Sequence, residues 1–542
     1  MLDALVIGAG SAGIYQLRRL RAEGYEARII DAAEGVGGVW YWNRYPGCRL
    51  DSESYTYGYF DDPEVTRQWK WSEHYVGQPE LERYYNFIVD EWGLRDHIDL
   101  GRKVSSARYL EESAVWEVRT EDGCLYRTRL LITALGQLSA PITPNVEGAS
   151  TFAGEAYHTS RWPKEEVDFK GKRVAVVGTG SSGVQVIQTI GEDVGELVVF
   201  QRTPNWCSPL NNGPIGPETQ KWLEENIEEL HRRLMDSTVG YTYEALPTSA
   251  WEHTKEERQA VYEGLWKLKG NNKFLGNFME VMTTREINEE MQDFAAAKIR
   301  ERVHDPKVAE KLIPKNHGYG GKRIPYESGY FEVFNQPNVT LVDLNETPIE
   351  RVVPAGLQTS DKTYEFDIIV WASGFDALTG PYDRIDIQGR GGARLKDAWV
   401  DGPRTFAGTQ VPGFPNLLIL AGPHTFGGNL PRINELHTGF LMKLIDRMRA
   451  NGSTVIETTD AAADAWTEHV LGTVSSSIEG AELHYAFGGN VEGKKVVFRG
   501  YGGGLAGLTQ QFRKIEADDF NGFIFNDTKS IGSRSAQVML SP

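Results

Sequence analysis

DALVIGAGSAGIYQLRRLRAEGYEARIID, residues 3–31, is the stretch that decides the fold. Ala4 to Ile7 is an unbroken apolar run, too short for a helix and without the alternation of a half-solvated strand, so it reads as a parallel strand buried on both faces. GAGSAG comes next, from Gly8 to Gly13, then a helix through roughly Glu23, then a second strand, ARII, that ends at Asp31. This is a β-loop-α-β unit of the kind that holds a dinucleotide. Gly8 permits the tight turn, Gly10 lets a pyrophosphate approach the backbone, and Gly13 lets the helix pack on the strand. The pyrophosphate is expected at the helix N-terminus, where Ser11 opens the first turn and free N–H groups favour negative charge. Asp31 stands a little over 20 residues past Gly8, placed to accept from ribose hydroxyls.

The unit recurs. RVAVV (173–177) runs into GTGSSG (Gly178 to Gly183), a helix and ELVVF (196–200). Gly178, Thr179, Gly180, Ser181, Ser182, Gly183 and Gln185 are the expected contacts of this second loop. The residues after its second strand are Gln201, Arg202 and Thr203, which put a cation where the first unit has a carboxylate. A 2′-phosphate calls for a guanidinium and a hydroxyl there, whereas a carboxylate repels it. The first site therefore suits the unphosphorylated ribose of FAD, and the second suits NADPH. Two dinucleotides on one chain imply an electron path between cofactors.

At 542 residues the chain is too long for one core. The expected class is α/β, with two Rossmann-like dinucleotide-binding domains, one for FAD and one for NADP. Residues 1–139 are expected to form the first part of the FAD domain, 140–374 the NADP domain, and 375–542 the rest of the FAD domain and a C-terminal tail. A helical insertion is expected at about 214–316, because Leu223, Ile227, Leu230 and Leu234 keep helical spacing among charges and Asp305-Pro306 reads as an N-cap with proline in first place. Strand patterns return at 339–344 and 367–376, while the tail after Phe525 lacks periodicity and is expected to be loose or a peripheral arm.

Composition narrows the function. The 40% hydrophobic content is that of a soluble globular protein, and no apolar run reaches the ~18 residues that span a bilayer. A formal charge of −18 repels phosphate backbones and anionic lipid, so neither nucleic acid nor membrane is an expected partner. The first strand begins almost at Met1, leaving no room for an export signal, and three scattered cysteines fit a reducing compartment, so the expected address is the cytoplasm. Cys48, Cys124 and Cys207 form neither a CxxC pair nor a zinc set, and no metal site is expected. A monomer or weak homo-oligomer is expected.

Between the two loops lies FAGEAYHTSRWP, residues 152–163. It resembles F-x-G-x-x-x-H-x-x-x-W-[PD], the fingerprint of type I Baeyer–Villiger monooxygenases, at Phe152, Gly154, His158, Trp162 and Pro163. A second stretch, GGVWYWNRYPGCRLD (Gly37 to Asp51), resembles that family's G-G-x-W-x4-[FY]-P-G-x3-D. The resemblance implies that Val39, Trp40, Tyr41, Trp42, Asp51 and Tyr57 touch flavin and that Arg49 to Asp51 approach the nicotinamide end of NADP. Lys322-Arg323, within GYGGKRIPYESGYFEVFNQPNV, resembles the family segment that carries the active-site arginine. Arg323 is then the catalytic cation, with Asp51 holding it, and Lys322 joins Arg202 and Thr203 at the 2′-phosphate. Gln137 resembles a family glutamine near flavin. Tyr485 stands where many relatives carry Trp, a departure that bears on pocket shape. His158 is read as a linker histidine whose ring hydrogen-bonds between two domains, so it stays out of the catalytic set.

The resemblance covers nearly the whole chain and implies a monooxygenase that uses O2 and NADPH to turn a small-molecule ketone into an ester or lactone through a flavin C4a-peroxide. Arg323 would stabilise the peroxide anion and the adduct oxyanion, a contribution of ~3–4 kcal/mol for one donor. The rival reading is an N- or S-oxygenating flavin monooxygenase, which shares both loops, but its fingerprint ends in Tyr or Phe where this chain has Trp162-Pro163. A flavin disulfide reductase would need a redox-active cysteine pair, which is absent.

Overall fold

The computed structural model describes residues 1–474 and 484–526. The tail beyond Asn526 therefore lies outside the described residues. The strands that position the site ahead of the insertion are β1 (Leu2–Ile7), β2 (Ala27–Ile30), β3 (Ile98–Asp99), β4 (Val104–Leu110), β5 (Val115–Thr120), β6 (Leu125–Thr133), β7 (Glu155–His158), β8 (Arg173–Val177) and β9 (Glu196–Gln201).

The first sheet runs Asp386–Gln388, β4, β5, β6, β1, β2, β3, with Leu417–Ile419 also pairing β6. It takes strands from both ends of the chain. β1 is parallel to β2 on one side and to β6 on the other. Ala4, Leu5 and Val6 are fully buried, which is why the strand reads as a continuous apolar run. The second sheet runs Val339–Asp343, β9, β8, Ile368–Trp371, β7 and is parallel throughout. The apolar pattern at 367–376 yields a strand only over Ile368–Trp371, because the backbone beyond it turns out to meet the second glycine loop. A Cβ on Gly178 would lie 2.5 Å from the Ala372 carbonyl oxygen.

Between the sheets' strands the chain adds helices Pro217–Glu225, Ile227–Asp236, Lys255–Lys267, Arg285–Arg302 and Pro306–Leu312. The backbone breaks at Asn226 (φ −127°, ψ 29°), yet Leu223, Ile227, Leu230 and Leu234 stay together against Phe60 in one buried cluster. Asp305 caps the last of these helices, accepting from the Lys307 N–H at 2.8 Å, with Pro306 in first position. His231 of the insertion reaches Glu435 on the helix Leu430–Ala450 at 2.9 Å, tying the insertion to the first-sheet side.

Candidate active site

Both glycine loops have the shape that their turns demand. Gly8 has φ +115° and Gly178 φ +111°, and a Cβ on Gly8 would lie 2.3 Å from the Ala134 carbonyl oxygen. A Cβ on Gly13 or Gly183 would strike the backbone oxygen of Gly8 or Gly178 at 1.9 and 2.1 Å, so only glycine lets each helix settle on its strand. The helices start on Gly10 and Gly180 with no side-chain cap. Their first-turn N–H groups are thus left for an anion, which is how a pyrophosphate is held. Ser11 Oγ accepts from Asn434 Nδ2 at 2.9 Å, fixing the first helix start from the C-terminal third.

Asp31 closes the first unit and braces it. Its two oxygens accept from the Ala9 and Ala33 N–H groups at 2.6 and 2.7 Å. Burial raises its pKa and these two donors pull it back. At the second unit, Thr179 Oγ1 donates to the Thr203 carbonyl at 3.1 Å. Arg202 and Thr203 line a cleft of about 670 Å³ together with Lys307, Lys311, Lys315 and Asp343. Lys322 does not line it; burial lowers its pKa and repulsion from Arg202 lowers it further, as befits cations gathered for an anion.

The segment Gly37 to Asp51 lies over the first loop and meets the second. Val39, Trp40, Tyr41 and Trp42 form one short helix. Trp40 Nε1 donates to Tyr57 OH at 3.2 Å, and Arg161 from the linker sits 4.4 Å over the Trp42 ring. A Cβ on Gly47 would lie 2.1 Å from Thr189 Oγ1, so this glycine is where the two nucleotide units touch. Gln185 spans the same seam, accepting from Tyr45 OH at 2.9 Å and donating to the Arg49 carbonyl at 3.3 Å. The Arg49 guanidinium turns toward Glu73, 3.4 Å away. Gln137 is buried and its Nε2 has no partner, a donor free for a ligand at the end of β6.

Arg323 and Asp51, 272 residues apart, form an ion pair with Nη2 2.5 Å from Oδ2. The side chains stay 36% and 32% exposed while surrounded by protein, the mark of a cavity wall. Desolvation lowers the Arg323 pKa, but Asp51 and then Tyr326, Tyr485 and Tyr241 raise it, with a net rise. Its guanidinium lies 5.9 Å over the Tyr326 ring, and Asn205 Nδ2 holds its carbonyl at 3.1 Å. Tyr57 is pushed up to about 12 by burial. Tyr485 is also raised by burial, and its ring lies 6.3 Å from that of Phe426. His484, beside it, is lowered to about 4 by burial and then by Arg323 and Lys322, so it stays neutral. Sequence reading missed Tyr241, Tyr326 and His484; nothing in their neighbourhoods sets them apart from other core aromatics.

His158 does not join this pair. Its Nε2 meets Ser373 Oγ at 3.0 Å and its Nδ1 accepts from the Ser160 N–H at 3.1 Å, linking the stretch after β7 to the stretch after Ile368–Trp371. The three cysteines are free, with Cys48 and Cys207 buried; burial pushes the Cys48 thiol up to about 12. Among the described residues no group of three or more His, Cys, Asp or Glu is placed to hold a metal, and no helix is long and apolar enough to cross a membrane.

Comparison with known proteins agrees with this geometry. Residues 5–261 match the pyridine nucleotide-disulphide oxidoreductase family, while the three cysteines of this chain are all free and none is paired with another. The chain is 44% identical over 486 residues to the 2-oxo-Δ3-4,5,5-trimethylcyclopentenylacetyl-CoA monooxygenase of Pseudomonas putida, covering 88% of this chain and 89% of that one. It is 40% identical to the methyl acetate-forming acetone monooxygenase of Gordonia sp. strain TY-5, over 96% of this chain and 98% of that one. A solved structure of OTEMO in complex with FAD and NADP superposes with a TM-score of 0.92 at 41% identity, over 96% of this chain and 99% of that one. Relatives this similar over nearly the full length, together with the two loops and the paired Arg323 and Asp51, establish that the chain belongs to the Baeyer–Villiger monooxygenase family.

Proposed function

We propose that the protein inserts one atom of O2 next to the carbonyl of a ketone, giving an ester or lactone, with FAD and NADPH as cofactors. The Arg323–Asp51 ion pair carries this reading: one permanent cation in a cavity wall, held by one carboxylate, near two loops shaped for dinucleotides. Bound FAD supplies the acceptance of hydride from NADPH and the activation of O2. The residues around it position, neutralise and exclude water. Arg323, charged at every working pH, faces the oxygen on which negative charge develops when the ketone carbonyl is attacked. Asp51 fixes the guanidinium by one Nη2 contact and leaves its other donors for substrate. Tyr57, Tyr241, Tyr326 and Tyr485 stay neutral, so they add hydroxyls and apolar area without a competing charge. Arg202, Thr203 and Lys322 favour the 2′-phosphate of NADPH, and Gln137 supplies a donor on the flavin side.

The test is NADPH and O2 consumption with and without panels of cyclic, aryl and long-chain ketones, amines and sulfides, with products identified by gas chromatography. Ester or lactone formed in step with NADPH is the expected result. Consumption stimulated by amines or sulfides and by no ketone overturns the reading.

A further inference from the structure

Past β9 the chain runs from Arg202 to Cys207 without helix or strand, and both ends of this stretch are tied to functional parts of the molecule. At its start, Asn345 Nδ2 donates to the Arg202 carbonyl at 2.6 Å, and the buried Thr179 of the second glycine loop donates to the Thr203 carbonyl at 3.1 Å. At its end, the chain lies along the segment that carries Arg323. Trp206 Nε1 donates to the His317 carbonyl at 3.0 Å, and the Ser208 hydroxyl meets that of Tyr319 at 2.8 Å. The Ser208 N–H donates to the Pro325 carbonyl at 3.0 Å, and Ser208–Pro209 pairs in parallel with Tyr326–Glu327. These contacts hold the segment ahead of Arg323 and behind it. One contact reaches Arg323 itself: Asn205 Nδ2 donates to its carbonyl at 3.1 Å. The Asn205 Oδ1 is buried without a partner, so among the described residues this side chain bonds to Arg323 alone. Only Pro204 separates Thr203 from Asn205. Its ring locks φ, which leaves few torsions to absorb a displacement between the two.

We propose that Asn205 is a positioning residue through which the 2′-phosphate pocket sets the place of Arg323. This rests on the monooxygenase reading and on the assignment of Arg202 and Thr203 to the 2′-phosphate. A phosphate gripped by the Arg202 guanidinium and the Thr203 hydroxyl draws residues 202–205 into one position. Asn205 then holds the Arg323 carbonyl, and the guanidinium is presented to Asp51, 2.5 Å away, from a fixed backbone. A nicotinamide without the phosphate leaves the stretch loose, and Arg323 meets the developing oxyanion in a spread of positions. NADH, a proton and O2 then give NAD+ and hydrogen peroxide in place of part of the ester. The phosphate thus does more than raise affinity: it preorganises the cation.

The experiment gives the FAD-bound protein saturating NADPH or NADH and measures ester and hydrogen peroxide per nicotinamide oxidised. In the parent, ester per nicotinamide should be higher with NADPH than with NADH by about threefold or more, the scale of one hydrogen bond. Asn205→Leu, which keeps the shape and removes the donor, should bring the NADPH yield down to that of NADH and leave the NADH yield unchanged. A role confined to folding would lower both yields together. Asn205→Gln, which keeps the amide, should recover part of the loss. Linkage makes the restraint act in both directions, so binding gives a second readout that needs no ketone. In the oxidised protein, followed by the change in flavin absorbance, Asn205→Leu and Arg323→Ala should each weaken NADP+ by about three- to tenfold with NAD+ unchanged. The double variant should be no weaker than either single one, because both remove the same coupling. Additive losses in the double variant overturn the proposal. So do equal ester yields from the two nicotinamides in a parent that binds NADPH more tightly, an outcome that requires no variant to fold. If NADPH and NADH bind alike, the 2′-phosphate assignment falls and the proposal with it. If no ketone yields ester, the monooxygenase reading falls, and the NADP+ cycle still decides the role of Asn205.

Discussion

At the first glycine loop, Gly38 packs on the turn, its Cα 3.5 Å from where a Cβ on Gly10 would stand; at the second, nothing comes within 4 Å of the same position on Gly180. Residues 8–13 and 178–183 make near-identical turns with the same left-handed first glycine and the same uncapped helix start. Their surroundings differ. The first loop is roofed by the Gly37 to Asp51 segment and braced by the Asp31 carboxylate on Ala9 and Ala33. The second has no such cover on Gly180, and past its second strand Arg202 and Thr203 line a cleft shared by three lysines and three carboxylates. Local sequence sets the turn; the cover over the turn is set by segments packed on it from elsewhere in the chain.

The largest expected effect lies between the loops and should leave both intact. Arg323→Ala should keep FAD bound and NADPH able to donate hydride, while ester formation falls ~100- to 1000-fold, the scale for loss of one oxyanion donor. Arg323→Lys should rescue poorly, because an ammonium lacks the planar fork that serves Asp51 and substrate together. The measurement is ester per NADPH consumed. Near-normal yield in Arg323→Ala would assign the chemistry to another residue, and loss of FAD would show that the pair also holds the first site.

Next in size is the open loop. Losing a charge-assisted contact costs about 1.5–3 kcal/mol, so Arg202→Ala should weaken NADPH by roughly tenfold or more with little change for NADH. Steady-state KM for both nicotinamides tests this, with flavin content as the control. A parallel loss of FAD would break the contrast between the loops.

The enclosed loop should respond more mildly and on the other cofactor. In Asp31→Asn a single carbonyl oxygen replaces two acceptors, so one of the Ala9 and Ala33 N–H groups faces an amide NH2, at a cost of about 1–3 kcal/mol. Flavin retained after gel filtration should drop while NADPH affinity stays. The smallest effect is expected at the linker. His158→Ala removes the Ser160 and Ser373 contacts and should slow turnover by a fewfold while FAD stays bound, since positioning rather than chemistry is lost. Full, coupled activity in that variant would leave the fingerprint histidine a packing feature only.

Much of this was legible along the chain. The strand, glycine loop, helix and terminal polar residue of each nucleotide unit are contiguous, so their pattern alone specifies them, and the change from Asp31 to Gln201-Arg202 could be read just past each second strand. The Asp305-Pro306 cap was legible for the same reason. Arg323 and Asp51 were found because each lies in a distinctive local motif, although 272 residues separate them. The rest of the site was not legible. Tyr241 and His484 come from segments far from Arg323, and only the packing of the insertion and the C-terminal third against the nucleotide units brings them to its guanidinium.

Gln185 shows the boundary between the two kinds of information. Its position on the second-loop helix marks it as a cofactor contact, but the fold places its side chain between Tyr45 and the Arg49 carbonyl, across a seam closed by Gly47. By itself the sequence determined the two dinucleotide turns and the change from a carboxylate to a guanidinium past the second strand of each unit. Both rest on backbone torsion or formal charge within a few residues, whereas Arg323 was singled out by the resemblance of its segment to the family's. Only the tertiary structure decided which loop is roofed and which side chains from distant segments gather about the guanidinium. Those outcomes depend on desolvation and on pairings between segments far apart in the chain, which no local pattern encodes.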